Sequence, residues 1–340
     1  MKHYLLPEEG TFYKANLHSH SVISDGADTP EHLKEEYKKM GYSVYAYTDH
    51  DVFIPHNDLT DGSFLALNGY EVEINDVNID YDCFERVRCC HLCFIALDRD
   101  MTEQVCLHRE KYMFGNAPKY AAGMNWGKAP DYVREYSPEC INDMIRRAKA
   151  AGFFVSYNHP AWSMEYYQHY MGYEGFDALE IYNGGCVYSG FNDRNGYVYD
   201  EMLHGGKRPF VTGSDDNHPV PRPGDPSCEC GSAWTMIKAK KLDYPSVADA
   251  LKKGHFYASM GPEIKELCYE DGLVTVECSP ARTIELRTDI RSCQSVRPSK
   301  TPSTRGEFRV HPYTNYFRIV VTDEQGRTAE THAYFTKELN

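Results

Sequence analysis

The chain has 340 residues, 41% hydrophobic and 25% charged, a composition that fits a folded globular protein and excludes a disordered or fibrous one. Its 36 basic and 50 acidic residues leave a net charge of -14, a field that repels extended polyanions and argues against nucleic-acid binding. No apolar run approaches the ~18 residues of a spanning helix, and the start MKHYLLPEEG has no apolar h-region, so a cytoplasmic location without membrane contact is the expectation.

Short runs rich in β-branched and aromatic residues at 13–18, 43–48, 64–73, 91–97, 153–157, 178–182 and 209–212 predict seven strands. Helical segments separate several of them. Thr29-Pro30-Glu31 opens one that Gly41 closes, and Ser137-Pro138-Glu139 to Gly152 repeats that grammar. Strands alternating with helices predict parallel pairing, and seven such units suit an α/β barrel over residues 1–258. After residue 258 the texture changes. Runs at 264–269 and 273–278 flank Asp271-Gly272, a strong hairpin signal, and further runs at 283–287, 307–310, 317–321 and 328–335 predict a small antiparallel β-sandwich over 259–340.

The chain holds 15 histidines, about twice an average share. His18, His20, His50, His159 and His218 fall at the ends of predicted strands, where the loops of a parallel barrel converge and its chemistry collects. His91 is the exception, since it starts its run. His18-x-His20 aims two imidazoles to one side of an extended segment. With Asp25, Glu71 and the Asp215/Asp216-x-His218 stretch, these groups suffice for two to three divalent ions of zinc, manganese or iron. The 12 cysteines read as reduced thiols, because Cys89/Cys90/Cys93 and Cys228/Cys230 lack the paired spacing of a structural zinc site.

The motifs Asn16-Leu17-His18-Ser19-His20, Ser24-Asp25-Gly26, Thr48-Asp49-His50, Gly69-Tyr70-Glu71, Asn158-His159-Pro160 and Gly213-Ser214-Asp215-Asp216-Asn217-His218, in that order, resemble those of the polymerase and histidinol phosphatase (PHP) family over residues 11–258. The segment from Gly254 to Pro262 resembles the barrel exit of members that carry a β-rich extension. The resemblance implies a distorted (β/α)7 barrel with up to three metals. One would use His18, His20, Glu71 and an aspartate of the last motif; a second the bridging Glu71 with His91 and His159; the third Asp25, His50 and His218. The last motif exceeds the short form G-S-D-x-H by one residue, so counting from either end selects Asp215 or Asp216; the two-residue spacing to His218 favours Asp216.

A metal cluster of this kind implies a phosphoesterase that attacks a small phosphorylated substrate with a metal-bound hydroxide. Glu71, His18, His20, Asp216 and His218 then carry the catalysis. Asp51, His56, Asn183 and Arg194 are candidates for substrate contact, with Lys207 and Arg222 as further cations and Glu180 as a structural carboxylate. The long aromatic segment 98–136, with 162–173, reads either as a wall over the metal face or as the contact of a homo-oligomer. The competing functions are a carbamate or ester hydrolase, an exonuclease, and a non-catalytic binding module stabilised by metal.

Overall fold

The computed structural model describes residues 2–76 and 84–339. In chain order its elements are β1 (Lys2–Tyr4), β2 (Thr11–Asn16), α1 (Pro30–Lys39), β3 (Val44–Tyr47), β4 (Leu65–Asn75), β5 (Cys89–Ala96), α2 (Ala117–Tyr120), α3 (Pro138–Ala151), β6 (Phe153–Tyr157), α4 (Tyr167–Tyr170), β7 (Ala178–Asn183), α5 (Gly184–Tyr188), α6 (Gly196–His204), β8 (Phe210–Ser214), β9 (Trp234–Ala239), α7 (Tyr244–Lys253) and β10 (Phe256–Ser259). The C-terminal part adds β11 (Ile264–Glu270), β12 (Leu273–Ala281), β13 (Thr283–Thr288), β14 (Gln294–Val296), β15 (Ser303–Arg309), β16 (Tyr316–Thr322), β17 (Thr328–Glu330), β18 (Tyr334–Phe335) and α8 (Thr336–Leu339). Among the described residues, no helix is long and apolar enough to cross a membrane.

The helices start and stop where side-chain caps dictate. Thr29 Oγ1 accepts from His32 N–H at 3.2 Å ahead of α1, Ser137 Oγ from Cys140 N–H at 3.3 Å ahead of α3, and Asp243 Oδ1 from Ser246 N–H at 2.9 Å ahead of α7. A proline occupies the first turn of each. On α3 the residues Ile141, Met144, Ile145 and Ala148 repeat at helical spacing and are buried against Phe153 and Val155 of β6.

The central sheet is mixed. Strands β2, β3 and β4 run parallel, as do β6, β7 and β8, but β5 is antiparallel to both β4 and β6. This corrects the expectation of seven parallel strands. An antiparallel neighbour needs only a loop, whereas a parallel one needs a crossover, usually helical, so the antiparallel pairing of β5 with β4 requires no helix between them. The reversal has a consequence for chemistry: the beginning of β5, where His91 sits, lies at the same end of the sheet as the C-terminal ends of its neighbours.

Beyond β2 the sheet continues through the antiparallel strands β9, β10 and β17 to β16 and β13. Sequence reading missed β9. Its buried positions are Thr235, Ile237 and Ala239, two of them small or polar, so its alternation carries little apolar signal. Thr235 also draws β8 in: its Oγ1 accepts from Gly213 N–H at 3.0 Å and donates to Gly213 O at 2.9 Å. A side chain at Gly213 would bring a Cβ within 2.9 Å of Trp234 O, so glycine permits that approach. A parallel bridge between Ser19 and Asn217 links the ends of β2 and β8.

A separate four-stranded antiparallel sheet, in the order β1-β11-β12-β15, covers the far end of the large one. Leu267, Val274 and Val276 from the small sheet and Ile284, Leu286, Phe317 and Ile319 from the large one share a single buried cluster. A polar joint sits beside it. The fully buried Arg318 of β16 pairs with Glu330 of β17 and donates Nε–H to Asp200 Oδ1 of α6 at 2.9 Å, while Tyr182 OH of β7 donates to Glu330 Oε1 at 2.6 Å.

Removing one partner of a buried pair strands the other's charge, so Arg318→Ala is expected to cost about 3–5 kcal/mol. Urea unfolding followed by circular dichroism checks this, and a loss below about 1 kcal/mol, the value of an exposed pair, would show that the joint is not a buried ion pair in solution.

Candidate metal centre

The strand ends deliver the site. Just past β2, Ser19 turns its side chain into the wall, with Oγ donating to Ala46 O at 2.6 Å and its N–H donating to Thr48 Oγ1 at 2.8 Å. Alternation therefore turns His18 and His20 the other way, into the interior, where both are buried. On β4 and β5, Glu71 stands opposite Cys93 and Glu73 opposite His91. The loop carrying Asp25 is pinned by Asp49, whose Oδ1 accepts from Ser21 N–H at 2.8 Å and Ser24 Oγ–H at 2.8 Å. A side chain at Gly26 would put a Cβ within 2.5 Å of His20 O, so the chain can double back there and return Asp25 to the histidines.

Glu71 is the hub. Its Oε1 lies 3.1 Å from His18 Nε2, 3.2 Å from His91 Nδ1 and 3.4 Å from His159 Nε2, and its Oε2 lies 3.3 Å from His50 Nδ1 and 3.4 Å from His20 Nε2. Asp216 Oδ1 faces His20 Nε2 at 2.9 Å and His18 Nε2 at 3.2 Å, and Asp25 Oδ2 faces His218 Nε2 at 3.4 Å. Three of the resulting groups can each hold an ion: His20, Asp25, His50 and His218; His18, His159 and Asp216; His50, Glu71 and His91. The partition differs from the expected one. The His20 ring stacks between those of His50 and His218, with centroids 4.4 Å and 4.3 Å away, which draws it toward Asp25, while His159 faces His18 and Asp216 as well as Glu71.

Several of these atoms lack a partner. Among the described residues, His20 Nδ1, His50 Nδ1, His91 Nδ1, Glu71 Oε2 and Asp216 Oδ1 are buried without a hydrogen bond. Buried polar atoms are normally satisfied, so this many converging on one space is a demand that a cation meets and a protein group does not. The electrostatics agree. Burial, the largest influence, works to neutralise Glu71, yet His18, His91 and His50 together hold its carboxyl well below the usual range. Burial likewise opposes charge on His18, but Asp216, Cys93, Glu71 and Glu180 hold its pKa well above the ordinary imidazole value. His50 goes the other way, pushed down to about 3 by burial and then by His20. Asp216 and His159 also adopt left-handed backbone, with φ of 51° and 25°, a strained conformation for such residues and one that concentrates at functional sites.

The imidazole nitrogens that turn away from the centre have their own partners. His18 Nδ1 lies 3.0 Å from Glu180 Oε1, His91 Nε2 lies 3.4 Å from Glu73 Oε2, His159 Nδ1 lies 3.2 Å from Ser163 Oγ, and His218 Nδ1 lies 3.0 Å from Asp216 O. Such contacts fix the tautomer and aim the opposite nitrogen at a metal. Sequence reading missed Glu73 and Ser163 as partners of these rings. Glu73 could have been found by stepping two residues along its strand from Glu71.

A cleft of about 350 Å³ opens over the cluster, and Asp25, Glu71, Glu73, Asp216 and Glu229 line it with His50, His91, His159 and His218. Its walls are aromatic. Phe114, from the long segment 98–136, lies 4.8 Å from the His50 ring, and Trp162 sits edge-on to His91 and His159 at 5.3 Å and 5.1 Å. Asp193 anchors the Trp162 wall by accepting from Trp162 N–H at 2.9 Å. Beside the cleft lies a second hollow of about 550 Å³ that shares Glu73 and Phe114 with it.

The expected substrate contacts fare differently. Asp51 is buried and paired with Arg134, and it lines the hollow beside the cleft, not the cleft itself. His56 packs against Tyr47 at 4.6 Å and does not line the cleft. Asn183 caps α5 by accepting from Cys186 N–H at 2.8 Å and donates to Asp216 Oδ2 at 3.0 Å, which makes it a support for that carboxylate. Arg194 is exposed and lies outside the cleft lining. Lys207 is engaged by Glu174 at 2.8 Å and Arg222 by Asp225 at 3.0 Å.

Asp215, the other aspartate of the last motif, faces away from the cluster. It accepts from the N–H groups of Gly231, Ser232 and Ala233 at 2.7–2.9 Å and from Tyr37 OH at 3.0 Å. It therefore anchors a loop and orients no imidazole. Asp216→Asn is expected to lower metal content while leaving the melting temperature near that of the wild type, and Asp215→Asn to lower the melting temperature while sparing metal content. Elemental analysis beside thermal melts of both variants checks this; the reverse assignment of effects would exchange the two roles.

No family model and no curated protein matches the chain. Three solved structures are similar to it. A candidate metal-dependent phosphoesterase from Bifidobacterium adolescentis ATCC 15703 shares 16% identity over 65% of this chain and 92% of its own, with a TM-score of 0.37. An amidohydrolase from Chromobacterium violaceum, with sulfate bound and no metal, shares 14% over 62% of this chain and 88% of its own, also at 0.37. Likeness at this level establishes neither fold nor activity. A two-domain protein of Bacteroides vulgatus ATCC 8482 containing a predicted PHP-like metal-dependent phosphoesterase is similar over 97% of this chain and 98% of its own, at 15% identity and a TM-score of 0.44, a likeness equally too low to establish activity.

Proposed function

We propose that the protein is a metal-dependent phosphoesterase that hydrolyses a small phosphorylated molecule, with a PHP-type barrel over residues 1–258 carrying the chemistry and residues 259–340 attached to it as a β-rich domain. The observation that carries this reading is the convergence of five imidazoles on Glu71, with buried, unpartnered atoms aimed at one another. Among the described residues no lysine or arginine lines the cleft; its charged groups are carboxylates, set among imidazoles and the two aromatic walls. A phosphate dianion would be repelled by such a surface unless cations neutralised it first. Two or three divalent ions would do that, and would lower the pKa of a bound water enough to make it a nucleophile near neutral pH.

The residues of the chain have separable tasks. His18, His20, Asp25, His50, Glu71, His91, His159, Asp216 and His218 supply the ligand atoms, with Glu71 able to serve two ions through its two oxygens. With a metal bound, Glu180 would keep the proton on His18 Nδ1 and leave Nε2, which faces Glu71 and Asp216, as the ligand atom. Phe114 and Trp162 narrow the cleft to a volume that suits a small molecule, and the adjoining hollow has room for the alcohol part of an ester.

Protein reloaded separately with manganese, zinc or iron is expected to release inorganic phosphate from at least one member of a panel of phosphorylated metabolites. In His18→Ala that release is expected to fall by more than about 100-fold, beyond the usual effect of changing an outer-shell partner. Absence of phosphate release with every metal, in protein shown to carry metal, would overturn the phosphoesterase reading.

A further inference from the structure

Cys93 is fully buried beside the cluster, and nothing in the ligand set above uses it. It stands directly opposite Glu71 in the antiparallel β4–β5 pair, and residues so paired share one face of the sheet. Its position two residues after His91 gives the same orientation by alternation. A ring nitrogen of His18, a carboxylate oxygen of Glu71 and Cys93 Sγ lie within 4.8 Å of one another.

Two further observations point to a ligand there. Asn158 Nδ2 donates both to Cys93 Sγ at 3.1 Å and to Glu71 Oε1 at 3.0 Å, so one amide bridges the sulfur and the carboxylate. Burial pushes the Cys93 thiol up to about 11, so its sulfur is a weak acceptor without a cation, whereas a thiolate formed on metal binding would take that donor well. In addition, Asp216 Oδ1, 3.2 Å from His18 Nε2, and the second oxygen of Glu71, Oε2, are buried without a hydrogen bond among the described residues.

We propose that Cys93 is a sulfur ligand of the ion held by His18 and Glu71. The proposal rests on the metal-centre reading and deepens it. On binding, the S–H bond breaks, a sulfur–metal bond forms with the electron pair left on sulfur, and the proton passes to solvent; no electron transfer is involved. A thiolate gives this position a preference for thiophilic ions such as zinc or iron(II) over manganese, whose usual partners are oxygen ligands.

Cobalt(II) loaded into the metal-free protein separates the two claims. Visible d–d bands report that ions occupy the cluster, and a thiolate-to-cobalt charge-transfer band in the near ultraviolet reports sulfur ligation. The wild type is expected to show both, and Cys93→Ser and Cys93→Ala to keep the d–d bands and lose the charge-transfer band. A wild type with d–d bands alone, or a charge-transfer band that persists in both variants, would overturn the role of Cys93 while leaving the metal centre standing. A wild type that takes up no cobalt would overturn both. Should neither variant fold, X-ray absorption at the zinc edge of the wild type decides the matter, with a sulfur shell at about 2.3 Å expected and a shell of nitrogen and oxygen alone contradicting the proposal.

Discussion

A carboxylate surrounded by five imidazoles in a buried space is the constraint on which the rest of this structure turns. Left to themselves these groups oppose one another: burial favours neutral forms, while each ionised partner favours charge on its neighbours. The resulting tug is visible in the opposite directions taken by His18, held toward its charged form, and His50, held toward its neutral one. Divalent cations relieve the conflict, since they replace protons on the imidazoles and satisfy the carboxylate oxygens together.

The scaffold is organised to hold these groups where unaided packing would not. Two buried aspartates that face away from the centre do much of this, Asp49 by pinning the loop of Asp25 and Asp215 by gathering three successive backbone N–H groups beside Asp216. Glu180 links three elements, because it meets His18 at 3.0 Å, accepts from His159 N–H at 3.1 Å and accepts from Asn183 Nδ2 at 2.8 Å. Left-handed backbone at His159 and Asp216 is tolerated within this web, since each residue is held by partners on neighbouring strands. The C-terminal strands take part at a distance. Glu330 of β17 accepts from Tyr182 OH on the same strand, β7, that carries Glu180 and Asn183 toward the centre.

Much of this was legible in the residues, and the gaps have physical causes. Histidines and carboxylates named from strand ends meet in one place because the end of a strand is readable from where an apolar run stops. His91 looked misplaced only while every strand was taken as parallel; with β5 reversed, the start of its run is the functional end. Strand direction leaves little trace in a short, fully buried run such as 89–96, since parallel and antiparallel strands that are covered on both faces read alike. The choice between Asp215 and Asp216 depended on a loop, residues 231–233, that contacts Asp215 from outside the motif. Glu73 lay within reach of simple alternation. Cys93 reads as a reduced thiol because its group lacks the paired spacing of a structural zinc site, and only the β4–β5 register sets it opposite Glu71. The Arg134–Asp51 pair was out of reach, since its partners are 83 residues apart and meet only through tertiary packing.

The most direct test of the account is anomalous X-ray diffraction from crystals of the protein loaded with zinc or manganese, collected at the edge of that metal. At least two anomalous peaks are expected in the cluster, next to different oxygens of the Glu71 carboxylate at about 2.0–2.2 Å in the zinc case. A single peak, or peaks that leave Glu71 uncoordinated, would contradict the account.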